Sequence, residues 1–153
     1  MENDKTIIGK LETIKHIHEV RKNLSVLIEL LDERARLHDL SKLESPEAEV
    51  FGEFTPELAK TEYGTEEYIK LLEKVKPAID HHYSKNRHHP EHHPNGINDF
   101  DLLDLCEMLC DWKAATQRNK NGNIRKSIEH NKTRYGISDQ LAKIMQNTID
   151  RHF

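Results

Sequence analysis

Histidine is the residue type out of proportion in this chain. There are eleven in 153 residues, and His81, His82, His88, His89, His92 and His93 fall within thirteen positions. Tyr83, Asn86, Arg87, Pro90 and Glu91 interrupt the run and sixty residues follow it, so it is not a terminal tag. Imidazole is the commonest protein metal ligand, and a short His-rich tract points to metal binding on composition. A second group with chemical potential is the doublet His38-Asp39, with Lys42 three positions on. A third is the series Asp104, Glu107 and Asp111, whose spacing makes one acidic ridge on a helix that is otherwise apolar. Buried carboxylates are costly unless a cation or metal meets them. Imidazole and carboxylate donors together suit Mn, Fe, Ni, Co or Zn rather than a thiolate-seeking metal.

These residues need helices to position them. Leu11, Ile14, His18, Leu24, Leu27 and Leu31 recur at mostly three- and four-residue steps, predicting a helix from about Thr6 to Leu31. His18 lies four after Ile14 and is expected on its buried side. The pattern continues or restarts through Ala35 and His38 and ends near Leu40 and Ser41. Ser45-Pro46-Glu47 and Thr55-Pro56-Glu57 each read as a helix start and predict two short helices. Tyr63-Gly64-Thr65 reads as a turn into a helix from Glu66 to about Tyr83, where Leu72, Val75, Ile79 and His82 share the inward face. Arg87 to Gly96 is a loop. Asn98 or Asp99 is expected to cap the most apolar element, running to about Arg118 at the centre of the fold. After a loop from Asn119 to Asn123, helices follow around Ile124 to Thr133 and from Ser138 to about Ile149. No strand candidate survives, so the expected class is all-α: one compact multi-helix domain over 1–153.

Bulk properties set outer limits. The net charge of −4 gives no general attraction to nucleic acid, although Arg118, Lys120, Arg125, Lys126, Lys132 and Arg134 make a basic C-terminal zone. No apolar run reaches membrane-spanning length, and the first ten residues lack the apolar stretch of a secretory signal. Cys106 and Cys110, one helical turn apart, are expected to be free, buried thiols in a reducing, cytoplasmic setting.

His38-Asp39-Leu40-Ser41-Lys42 resembles the HD superfamily of metal-dependent phosphohydrolases, helical domains that carry a histidine, a His-Asp doublet and a distant aspartate. The resemblance maps the first histidine to His18 and the last aspartate to Asp111, with Asp104 two turns earlier as the alternative. It covers about ninety-five residues. It implies a first divalent ion on His18, His38, Asp39 and Asp111. Asp39 would bridge to a second ion held by His82 and two loop histidines, for which His89 and His92, three apart, are favoured. The Gly-Tyr-Pro signature of the cyclic-dinucleotide phosphodiesterases is lacking, which counts against that activity. Phosphate-ester hydrolysis on a small molecule or nucleotide is the implied reaction, using one or two ions among Mn, Fe, Ni, Co and Zn. Asp39, Lys42 and Glu107 are the catalytic candidates, with Glu107 placed to orient water or a ligand histidine. Lys42, Arg87 and Arg118 are candidates for gripping phosphate; for Lys42 a salt bridge to a core acid is an equal alternative. Two rivals share this ligand set: a di-iron oxygenase of the HD type, and a metal-stabilised helical binding protein without catalysis.

Overall fold

The computed structural model describes residues 4–58, 60–61, 65–118 and 121–153, without the side chains of Leu58 and Tyr68. Among them are six α-helices, three short 3-10 turns and no strand: the fold is all-α. The expected turn at Tyr63-Gly64 and the Asn119-Lys120 part of the later loop lie outside the described residues. The chain divides into two compact units, 1–36 and 37–153.

The first unit is a single helix, part of α1 (Asp4–Leu37), with Arg34 and Arg36 favourably placed in its last turn. Thr13 Oγ1 donates to the Gly9 carbonyl, and Lys15–Glu12 and Arg36–Asp32 are ion pairs one turn apart on its surface. No residue of α1 is buried; Ile14, Leu24 and Leu27 are exposed. His18 is exposed as well, contrary to its expected inward position.

The second unit begins as the chain leaves α1 at Leu37. Asp39 adopts the left-handed conformation (φ 57°, ψ 15°), and a 3-10 turn over Leu40–Leu43 follows. The two short helices expected between 45 and 58 are one, α2 (Glu47–Leu58), with Pro56 in its last turn, where it removes one backbone hydrogen bond without ending the helix. It packs on α3 (Glu66–Lys85), which runs through Pro77. The inward face of α3 carries Leu71, Val75, Ala78 and His82, with Leu72 rotated outward.

α4 (Leu102–Gln117) starts three residues later than expected. Asp101 is its N-cap, and its carboxylate accepts the Leu103 and Asp104 amides while Asp104 accepts the Asp101 amide, a reciprocal capping box. Asp99 instead binds Asn95 in the preceding turn. α5 (Ile124–Tyr135) and α6 (Asp139–His152) are capped by Asn123 and Ser138. Gly136 closes α5 at φ 65°, where a side chain would be strained. Met108 and Leu109 of α4 join Ile128, Ile137, Ala142, Met145 and Ile149 in the core, and Trp112 stacks on Tyr135. The face of α4 bearing Leu102, Cys106 and Cys110 is exposed, so the thiols are free but not buried as expected. No described helix is long and apolar enough to cross a membrane.

Candidate metal centre

Four elements of the second unit deliver donors to one place. The left-handed residue at the end of α1 turns the Asp39 carboxylate inward beside His38. Leu71, Val75 and Ala78, buried on α3, hold the face from which His82 projects. The loop after α3 contributes His88 and His89, and α4 contributes Glu107 and Asp111 one turn apart.

Asp39 lies at the middle. Its Oδ1 is 3.4 Å from His82 Nε2 and 3.6 Å from His88 Nε2. Its Oδ2 is 3.5 Å from His38 Nε2, and His38 Nε2 is 3.7 Å from Asp111 Oδ1. His82 Nε2 and His89 Nε2 are 2.9 Å apart. Ligands held at about 2.1 Å from one ion stand about 3.0 Å apart in octahedral and about 3.4 Å apart in tetrahedral geometry. The donor separations therefore match those around a bound cation. Two of the donor groups, Asp39-His82-His88-His89 and His38-Asp39-Asp111, share Asp39 and make two ligand sets; a third group, His38-His88-Glu107, overlaps both.

Orphaned atoms supply the test of fit. Asp39 Oδ1 and His88 Nε2 are shielded from solvent, and neither has a hydrogen-bond partner among the described residues. They face each other, and an unmet buried acceptor beside an unmet buried imidazole nitrogen costs stability unless a cation joins them. The residues fit a divalent metal.

The far ring nitrogens are fixed by carboxylates. Glu107 Oε1 accepts from His38 Nδ1 at 2.9 Å and from His88 Nδ1 at 3.0 Å. With the protons held there, both rings turn Nε2 toward Asp39, so Glu107 orients ligands rather than binding an ion itself. Charge within the cluster is correspondingly polarised. The Asp111 and Glu107 carboxylates push His38 up to about 10. Burial pushes His89 down to about 3, with His88 and His82 adding to the effect. Burial would raise Glu107, but hydrogen bonds from His38 and His88 outweigh it and hold the carboxyl well below its usual range. For Asp111, burial is outweighed in the same way by His38, and for Asp39 by Lys42.

The geometry brings together His38, Asp39, His82, His89 and Asp111, with Glu107 behind them, as expected from the sequence. It also alters the assignment. His88, not His92, is the second loop histidine placed beside Asp39: His88 is almost fully buried at the centre, whereas His92 Nδ1 donates to the Tyr83 carbonyl. A 3-10 turn begins at Pro90 and directs His92 back toward α3 instead of toward Asp39. Arg87 is not a free phosphate clamp, because Nε and Nη2 donate to the fully buried Asp104 carboxylate at 3.2 and 3.1 Å. That pairing also removes Asp104 as the alternative final aspartate. Arg118, at the C-cap of α4, is seven positions past Asp111, about 10 Å farther along the helix. Lys42 Nζ sits 2.6 Å from Asp39 Oδ2, which is the salt-bridge role weighed for it. The ligand groups found among the described residues are drawn from 37–153 and do not include the exposed His18.

The basic C-terminal zone is largely internally paired: Arg125 with Asp150, Lys132 with Asp139, and Arg134 with Glu91. Lys120 lies outside the described residues.

Residues 8–151 match the model of a family described as "Family of unknown function (DUF5662)". The chain belongs to that family. No curated protein and no solved structure matches it.

Proposed function

We propose that this DUF5662 protein is a metal-dependent phosphohydrolase of the HD type, acting on a small phosphate ester or nucleotide. One observation carries the reading. Each oxygen of Asp39 faces a different set of donors, and its buried Oδ1 has no hydrogen-bond partner among the described residues. A bridging carboxylate needs this arrangement, and a purely structural ion pair does not.

His82, His88 and His89 would hold one ion with Asp39 Oδ1; His38 and Asp111 would hold a second with Asp39 Oδ2. Mn, Fe, Ni, Co and Zn all suit these donors. A divalent ion in such a place supplies Lewis acidity, lowering the pKa of a water and polarising a phosphoryl oxygen. The chain's own residues do the rest. Glu107 keeps protons on the outer nitrogens of His38 and His88, so that both present lone pairs. Lys42, with a side chain 42% exposed, reaches both Asp39 and solvent and is the cation available to a substrate phosphate. The same donor set serves a di-iron oxygenase, and a saturated site without access for substrate would make a binding protein. We place the activity in the cytoplasm, where free surface thiols such as Cys106 and Cys110 persist.

Elemental analysis of protein purified without chelator, followed by a phosphatase screen with each metal found, tests the proposal. Stoichiometric transition metal with phosphate release supports it. Iron with oxygen uptake and no phosphate release replaces it with the oxygenase, and metal-free protein that takes up none ends both.

A further inference from the structure

Glu47, like Glu107, is a carboxylate near the centre that neither ligand set includes, and it is fully buried, at 0% exposure. It stands in the first turn of α2, where an acid is ordinarily solvated and interacts with the helix N-terminus. Here it points inward instead. Oε1 accepts from His81 Nδ1 at 2.8 Å; Oε2 accepts from His82 Nδ1 at 2.8 Å and from Ser41 Oγ at 3.1 Å. The Asn86 amide closes the network by donating to Ser41 Oγ and to the His82 carbonyl, both at 2.8 Å; its nitrogen also lies 2.9 Å from His82 Nδ1, where the carboxylate, which can only accept, competes for the ring proton. Three donors satisfy the carboxylate.

The arrangement determines what His82 offers on its other side. A proton held on Nδ1 by Glu47 leaves Nε2 as a lone pair, 3.4 Å from Asp39 Oδ1. Glu107 does the same for His38 and His88. The two outer carboxylates therefore divide the centre unequally. Glu107 supports a histidine in each ligand set, while Glu47 supports only the set of Asp39, His82, His88 and His89.

We propose that Glu47 is a positioning residue that sets the tautomer and basicity of His82, and so controls the affinity of the ion position formed by Asp39, His82, His88 and His89 without controlling the His38-Asp39-Asp111 position. This rests on the metal-centre reading above. Glu47→Gln keeps the shape but removes the charge, and an amide cannot accept on both sides as the carboxylate does. Loss of an outer-shell partner lowers metal affinity by about tenfold to a hundredfold.

The test is titration of metal-free, full-length protein with Co(II), followed by its visible absorption bands. Glu47→Gln is expected to weaken one equivalent by about tenfold to a hundredfold and change its bands, leaving the other equivalent and the metal-free melting temperature near wild type. His81→Ala, which removes the carboxylate's other imidazole, is expected to bind as wild type does. Cobalt binding by Glu47→Gln indistinguishable from wild type overturns the role of Glu47 and leaves the metal centre standing. Absence of cobalt uptake by wild type removes the metal centre, and this inference with it. Nitrogen-15 NMR of metal-free wild type checks the same point without any variant. His82 is expected as the Nδ1–H tautomer, and finding the proton on Nε2 overturns the proposal even where Glu47→Gln fails to fold.

Discussion

In the proposed metal centre Asp39 concentrates the chemistry because both ligand sets share it. Its two oxygens serve different donor sets, so Asp39→Ala should remove all stoichiometric metal, measured by elemental analysis of the purified variant; full occupancy would refute the assignment. His88 and His92 separate a ligand from a neighbour. His88→Ala should lose metal, whereas His92→Ala should keep the wild-type stoichiometry and lose about 1 kcal/mol of stability with its bond to the Tyr83 carbonyl. Lys42→Ala should retain the metal and lower kcat/KM for a phosphate ester by about tenfold to a hundredfold, the worth of one charge-assisted hydrogen bond. Unchanged kcat/KM would leave Lys42 only its salt bridge. His38, Asp39, His82, Glu107 and Asp111 were legible in the sequence because doublet, periodicity and helical ridge give each a direction, while His89 was favoured only for its three-residue step to His92. His88 was not, because it stands in a loop where no period says which way a side chain points. Glu47 was hidden for the opposite reason: an acid two after Ser45 already has an ordinary explanation as a helix-start residue.

Helices set how well these donors are held, and α4 matters most because it carries Glu107 and Asp111. Its first turn depends on Asp101 and Asp104 capping each other and on Arg87 meeting the buried Asp104. Asp101→Ala should cost about 1 kcal/mol by chemical denaturation. Arg87→Ala should cost roughly 2 kcal/mol, less than for a fully buried pair because Arg87 is itself half exposed. Equal stability of Arg87→Ala and wild type would mean that Asp104 is satisfied without it. The order of the helices followed from apolar spacing, though with one fewer than expected, and Ser138 and Asn123 bound the last two where the sequence suggests. The start of α4 did not, since Asn98, Asp99 and Asp101 are all competent caps and only packing of the Phe100 turn chooses among them. The two helices read into 45–58 merged because a proline in the last turn removes one hydrogen bond without ending the helix.

At the scale of the whole molecule the question is what the chain does when the metal is taken away. A small zinc module unfolds without its ion because the site is most of its core. Here the apolar core of α4, α5 and α6, built on Met108, Ile128 and Met145, each almost fully buried, includes none of the proposed ligands. The centre also compensates itself in part. Without an ion, Asp111 and Glu107 push His38 up to about 10, so it is protonated on both nitrogens at neutral pH and offsets some of the surrounding carboxylate charge until a metal displaces the Nε2 proton. What it cannot offset is the orphaned pair, Asp39 Oδ1 and His88 Nε2. The metal-free protein should therefore stay folded but be less stable. An ion present at about 100 times its Kd adds about 2.7 kcal/mol, which for a chain of this length raises Tm by roughly 5–10 °C. Calorimetry of chelator-treated protein, before and after restoring Mn, Zn or Fe, should show that shift and its reversal, with native helical content throughout. Complete unfolding on chelation would show that the core of α4, α5 and α6 cannot stand alone. An unchanged Tm in protein that demonstrably regains its metal would mean that the unfolded chain binds the ion as well as the folded one, so that no preformed site holds it.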